Sequence, residues 1–265
     1  MHRRKACISA LAGALALATR AANAQVAARP LPLNDAMTTT IRGISSMASR
    51  ALLADLAEAF SKRSGVPVSF VSVGGVDTAR RIDEGERFDL AVLDSKAIDK
   101  LIANGKLDGS GKADLFRSDV GVAVRVGAGQ PNIATAEALR SAVLGADRIG
   151  YSTGPSGVEL MALFERWGIA AEVKGRLVQA SPGVPVGTLL VSGAATLGFQ
   201  QMSEMIGIQG IQLIGPMPPE ARITTVFSAA PLAGGQQPAA VGDLIRFLAS
   251  ADATDAKRRH GMAAV

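Results

Sequence analysis

Residues 38–103 read TTTIRGISSMASRALLADLAEAFSKRSGVPVSFVSVGGVDTARRIDEGERFDLAVLDSKAIDKLIA. Thr38 to Ile44 has the β-branched, extended character of a strand, and Ser45-Ser46 follows as a helix-start signal. From Ser49 the apolar positions Leu52, Leu53, Leu56 and Phe60 recur at helical spacing, which predicts a helix to about Ser64. Gly65 stands where a C-cap glycine belongs. Val66 to Val73 alternates as a second strand, Gly74-Gly75 breaks it, and Thr78 to Glu84 reads as a short helix. Phe88 to Leu93 is an apolar strand with a helix after it from Ser95 to Ala103. Strands and helices alternating at this spacing indicate βαβ units and a mainly parallel sheet.

The alternation continues. Val120 to Val126 is a strong strand, Thr135 to Leu144 and Val158 to Trp167 are helical, and Ile149 to Tyr151 is a strand between them. Leu177 to Gln179, Leu197 to Gln200 and Ile211 to Ile214 supply shorter strands. Arg222 to Ala230 is extended, and two helices, Ala239 to Ala249 and Asp252 to Arg259, close the chain. The strands at 120–126 and 222–230 are candidate crossovers between two lobes.

The N-terminus looks like an export address. His2, Arg3, Arg4 and Lys5 precede an apolar run from Ala6 to Thr19, and Ala22-Asn23-Ala24 offers a small-x-small cleavage pattern. The run is too short to span a bilayer. Cleavage is expected after Ala24, giving a periplasmic product with residues 25–37 as a loose leader. Removing residues 1–24 takes away Arg3, Arg4, Lys5 and Arg20 with no acid, so the formal charge falls from +5 to +1. The basic balance is therefore poor evidence for nucleic-acid binding.

The single cysteine, Cys7, leaves with that segment, and only His260 remains of the two histidines. Disulfides, thiolate chemistry and Cys/His metal sites are then excluded, and a Ser-His-Asp mechanism is disfavoured. No cofactor, metal or membrane span is expected, and the chain is expected to act as a monomer.

In open parallel α/β sheets, ligands bind beyond the carboxyl ends of strands, where helix starts point their N–H groups outward. Four such turns stand out. Ser45-Ser46 leaves a hydroxyl spare beyond simple capping. Gly74-Gly75-Val76-Asp77 permits close backbone approach, with Arg80 and Arg81 on the following helix; taken alone, the stretch favours a plain tight turn capped by Asp77. Tyr151 to Val158 (Y-S-T-G-P-S-G-V) is the densest: hydroxyls, Gly154, Gly157 and a proline near helical N1, with Ser156 beside it. Leu197-Gly198-Phe199-Gln200-Gln201 ends in two amides that offer donors and acceptors to an oxyanion or carboxylate. Pro182-Gly183-Val184-Pro185 is a fifth loop.

These stretches, in this order, resemble the periplasmic molybdate-binding protein family of ABC importers. The likeness rests on the early S-S turn, the A-R-R-I helix, F-D-L-A-V-L-D, the G-P-S-G turn, L-G-F-Q-Q and the closing A-K-R-R-H-G-M, between about Thr40 and Met262. It implies a type II periplasmic-binding fold with two lobes joined by two crossover strands: residues 38–121 plus 227–265 in one lobe, 122–226 in the other. It further implies capture of a small anion for delivery to an ABC permease. Contacts are expected at Ser45, Ser46, Gly75, Val76, Arg80, Gly154, Pro155, Ser156, Gly157, Val184, Gln200 and Gln201.

The pattern departs from the oxyanion binders at two places. A serine-rich second turn is here Gly75-Val76 beside acidic Asp77, and a tyrosine ligand position is Gln201. A carboxylate beside the pocket repels a dianion unless protonated or paired. Members of the same resemblance include a periplasmic aconitate isomerase, which moves a proton and a double bond in a tricarboxylate. On that alternative, Arg80, Ser156, Gln200 and Gln201 orient carboxylates, and Asp77 or Tyr151 carries the proton.

Overall fold

A computed structural model describes residues 39–265; the export address and leader fall outside the described residues. The N-terminal part runs β1 (Ile41–Ser46), α1 (Arg50–Ser64), β2 (Val68–Val73), α2 (Gly75–Asp83), β3 (Leu90–Asp94), α3 (Ser95–Ala103) and the long β4 (Ala113–Arg125). The middle part follows as α4 (Ala136–Gly145), β5 (Ile149–Tyr151), α5 (Pro155–Arg166), α6 (Ala170–Val173) and β6 (Leu177–Gln179). It ends with α7 (Val186–Ser192), β7 (Leu197–Gln201), α8 (Met202–Met205) and β8 (Ile211–Pro216). The chain returns through β9 (Thr224–Pro231), α9 (Pro238–Ala249), α10 (Thr254–Arg259) and β10 (Met262–Ala263).

Strand order is β2-β1-β3-β9-β4-β7-β5-β6, with β8 and β10 also on β4. The outer trios, β2-β1-β3 and β7-β5-β6, are parallel. The crossover strands run antiparallel to them, so the sheet is mixed. β9 pairs β3 and β4, while β4 pairs β7 and β8. Because β4 is long enough to serve both halves, it is the member they share. This is the two-lobed α/β architecture of type II periplasmic binding proteins.

Each half is a sandwich. Successive strand residues face opposite sides of a sheet, and β3 shows it: Leu90 and Val92 join a core with α1, α9 and α10, while Ala91 and Leu93 join another with α2 and α3. In the second half, Val120, Val122 and Val124 pack with α4, α5 and α6, and Ala123 packs with Leu190 and Met205 on the other side. Gly65 ends α1 in the left-handed region, φ 73°, as the sequence predicted.

Two strand glycines set the height of α7. A side chain begun at Gly198 would lie 2.9 Å from Leu190 Cδ1 and 3.0 Å from Val186 Cγ1. One begun at Gly150 would lie 3.1 Å from the same Val186 atom. Glycine therefore lets α7 sit low on β5 and β7, which brings its first residue beside the strand ends.

Candidate functional site

The carboxyl ends of β1, β2, β3, β5, β6 and β7 surround one cleft of about 330 Å3, within the ~300–1,000 Å3 typical of small-molecule pockets. Thr225 and Phe227 of β9 also line it. From the first half come Ser46, Met47, Gly75, Val76, Asp77 and Asp94; from the second, Ser152 to Ser156, Pro182 to Val184, Gln200, Gln201 and Glu204. The two sides meet at the rim. A side chain begun at Gly74 would lie 3.9 Å from Gly183 N.

Helix starts provide the donors. α2 begins after Gly74 and α5 after Gly154, and neither N-cap residue supplies a side-chain acceptor. The first N–H groups of α2 are thus left to a ligand; in α5 Pro155 has no N–H and Gly157 N donates to Gly154 O at 2.9 Å, which leaves that of Ser156, and both starts carry the positive end of a helix dipole. By contrast Asp94 caps α3, accepting from Ala97 N at 3.0 Å. Ser152 Oγ and Ser156 Oγ are 3.0 Å apart and brace the turn between them.

Two buried polar atoms on the cleft wall have no hydrogen-bond partner: Ser46 Oγ and Gln201 Oε1, in residues 7% and 4% exposed. An unpaired buried polar atom costs free energy, so both are places for a ligand or water to complete. Gln201 Nε2 is occupied, donating to Thr225 Oγ1 at 2.7 Å.

No Lys, Arg or His is among the described residues lining the cleft, whereas three acids are: Asp77, Asp94 and Glu204. Glu204 differs from the others. It retains only a partial opening to the cleft, and burial pushes its carboxyl up to about 7, while the neighbouring Gln200 side chain acts the other way. A carboxyl of this kind exchanges a proton readily near neutral pH.

Of the residues expected from sequence, Ser46, Gly75, Val76, Asp77, Gly154, Pro155, Ser156, Val184, Gln200 and Gln201 lie together around the cleft. Four do not line it. The Ser45 hydroxyl turns to Ser72 Oγ, 2.8 Å away. Arg80 lies on the exposed side of α2 and donates to both oxygens of Glu84 at 2.8 Å, with Asp77 at 3.7 Å. Tyr151 packs on the core with Ile149, on the same strand face. Gly157 is buried inside α5, where a side chain would collide with the Ser152 carbonyl oxygen.

Sequence reasoning did not single out Asp94, Gln179, Glu204, Thr225 or Phe227. One signal was available for Glu204: it stands four residues after Gln200, beyond a strand already expected to end at the site. No group of His, Cys, Asp and Glu suited to a metal ion occurs among the described residues. None of their helices is long and apolar enough to cross a membrane.

A cleft between two β/α halves, closed by strand-to-helix turns and joined by crossover strands, defines a solute-binding protein. The chain belongs to the bacterial extracellular solute-binding protein family, which its residues 41–263 match. It is 33% identical over 232 residues to an aconitate isomerase of Pseudomonas sp, covering 84% of this chain and 87% of that protein. Its fold matches the periplasmic molybdate-binding protein of Azotobacter vinelandii with a TM-score of 0.71 at 18% identity, over 85% of this chain and 99% of that one. A sulfate-binding protein of Mycobacterium tuberculosis H37Rv matches with a TM-score of 0.68 at 17% identity, over 84% and 86%.

Proposed function

We propose that this protein is a periplasmic, monomeric anion binder whose solute is a small polycarboxylate. In this reading it also shifts a proton within that solute, in the manner of an aconitate isomerase. The observation that carries this reading is Glu204: a carboxyl lining the cleft and pushed by burial up to about 7. The likeness to an aconitate isomerase over most of both chains supports it.

The chemistry is a one-base allylic shift. Ionised Glu204 takes a proton from the substrate methylene, and the C–H electron pair enters the allylic system and the adjacent carboxylate. The same carboxyl, now protonated, returns the proton to the former vinylic carbon, so the double bond migrates and no group is lost. The uncapped N–H groups at the start of α2 and that of Ser156 in α5 would stabilise the charge that develops on the carboxylate. The hydroxyls of Ser46 and Ser156 would donate to the other carboxylates. Asp77 then stays at the rim, and neither it nor Tyr151 carries the proton.

A second reading follows from the family itself. The same cleft would capture an anion for an ABC permease and release it unchanged, with residues 38–121 plus 227–265 and residues 122–226 closing on it about β4 and β9. A thermal-shift panel tests the shared claim and separates the ligands. It would contain molybdate, tungstate, sulfate, phosphate, citrate and both aconitates. Stabilisation by tricarboxylates supports the proposal; stabilisation by molybdate and tungstate alone overturns it.

A further inference from the structure

Gln201 and Thr225 form one polar unit in the cleft wall. Gln201 closes β7, where its backbone pairs with Val120, and Thr225 lies on β9 opposite Ser118. β4 runs between those two strands, so the 2.7 Å hydrogen bond from Gln201 Nε2 to Thr225 Oγ1 reaches across it. Both partners stand on strands rather than loops, which holds the amide in one place. With its NH2 engaged by Thr225, the amide leaves its oxygen without a partner, in a residue only 4% exposed. The preceding Gln200 differs, because its Oε1 accepts from Val186 N at 2.7 Å.

The free oxygen is selective. An amide oxygen only accepts, and so does a carboxylate, so a carboxylate cannot complete it. Three acids and no Lys, Arg or His line this cleft among the described residues. The carboxylates of a ligand therefore belong at the donors: the first N–H groups of α2, that of Ser156, and the Ser46 and Ser156 hydroxyls. Gln201 Oε1 calls instead for an O–H. An alcohol supplies one without adding charge beside the acids.

We propose that Gln201, held by Thr225, is a specificity-determining residue that accepts a hydrogen bond from an alcohol on the bound polycarboxylate. The ligand held most tightly is then a hydroxytricarboxylate, of which citrate is the simplest probe. The inference rests on the cleft being a polycarboxylate site, and it stands whether or not Glu204 moves a proton. The aconitates carry no alcohol and leave this acceptor open, so a hydroxytricarboxylate competes with them for the cleft.

Citrate and tricarballylate share one carbon skeleton and the same carboxylates, and differ by a single hydroxyl. Titration calorimetry at about pH 8, where both are fully ionised, measures the ratio of their affinities. Wild type should favour citrate by roughly tenfold. Gln201→Met keeps the length and removes the acceptor. The ratio should fall to within about twofold, because citrate binding weakens while tricarballylate binding holds or improves. Thr225→Val keeps the shape but frees the amide to turn its NH2 toward the ligand, so the ratio should fall there too, with tricarballylate gaining. A residue that only packs would weaken both acids alike. Thermal melts check that each variant is folded, and either variant alone carries the readout. Equal affinities in wild type overturn the proposal, as does a citrate preference that survives in the folded variants. A wild type that binds neither acid removes the polycarboxylate reading itself, and this inference with it.

Discussion

Lys96 Nζ lies 3.1 Å from Glu159 Oε1, tying the first turn of α3 to the first turns of α5 beside the cleft. One helix flanks the sheet half containing β3 and the other flanks the half containing β5, so the pair bridges the two sides. Its side chains are 89% and 47% exposed, which limits it to about 0.2–1 kcal/mol and makes it salt-sensitive. Lys96→Ala or Glu159→Gln is expected to weaken polycarboxylate binding by roughly two- to fivefold in low salt, measured by titration calorimetry. At about 1 M salt the difference should vanish. Exchanging the charges, Lys96→Glu with Glu159→Lys, should restore affinity.

Glu204 links stability to pH. Its carboxyl titrates near 7 in the folded chain against 4.5 as the ordinary value. Between those pH values the folded state holds the proton that the unfolded state has lost, so stability falls as pH rises through the window and is flat above it. The total is on the order of 3–4 kcal/mol at ~1.4 kcal/mol per unit. Urea unfolding of ligand-free protein at pH 4.5 and pH 8 should show this loss, and Glu204→Gln should abolish most of it.

Gly157 is required by space. A side chain there would run into the Ser152 carbonyl, whereas one at Gly154 meets nothing within 4 Å. Gly157→Ala should cost about 1–3 kcal/mol, as overpacking does, and should disorganise the turn that presents the α5 N-terminus. Gly154→Ala should remain within roughly 0.5 kcal/mol of wild type in the same thermal melts.

Lys257 on α10 is 1% exposed, and its ammonium has no hydrogen-bond partner among the described residues. Burial lowers its proton affinity. The unfolded state then binds more protons in the alkaline range, so stability should rise as pH climbs through the depressed folded value toward the ordinary lysine range. Lys257→Met should stabilise the protein at pH 7 by about 1–3 kcal/mol and remove that alkaline rise.

Much of the fold was legible because local signals and tertiary demands coincided. The 95–103 helix and the 149–151 and 177–179 strands fall where the sequence put them, and Gly65 caps α1. Other parts were not. β4 begins at Ala113, seven residues before the apolar run, because Asp114 and Asp119 sit in the strand with hydroxyl partners on β9. α7 reads V-G-T-L-L-V-S, which lacks a polar face; its helical form depends on packing over Gly150 and Gly198.

The site was legible where it is made of backbone. Strand-to-helix turns announce themselves through Ser, Gly and Pro, and those at Ser46, Gly75 and Pro155 line the cleft. Side-chain direction was harder. The Glu84 four residues beyond Arg80 was the signal for a surface pair, and Tyr151 shares the strand parity of the core residue Ile149. The unusual state of Glu204 is set by burial among distant strands, which a lone acid in sequence does not reveal.

The most direct measurement is proton NMR of purified protein with trans-aconitate, followed over time beside Glu204→Gln. cis-Aconitate should accumulate, and the same mixture should be reached from the cis side. Glu204→Gln should slow conversion by roughly a hundredfold or more while trans-aconitate still raises its melting temperature. An unchanged rate in Glu204→Gln would rule out Glu204 as the proton carrier. So would an inert wild type that binds only molybdate and tungstate.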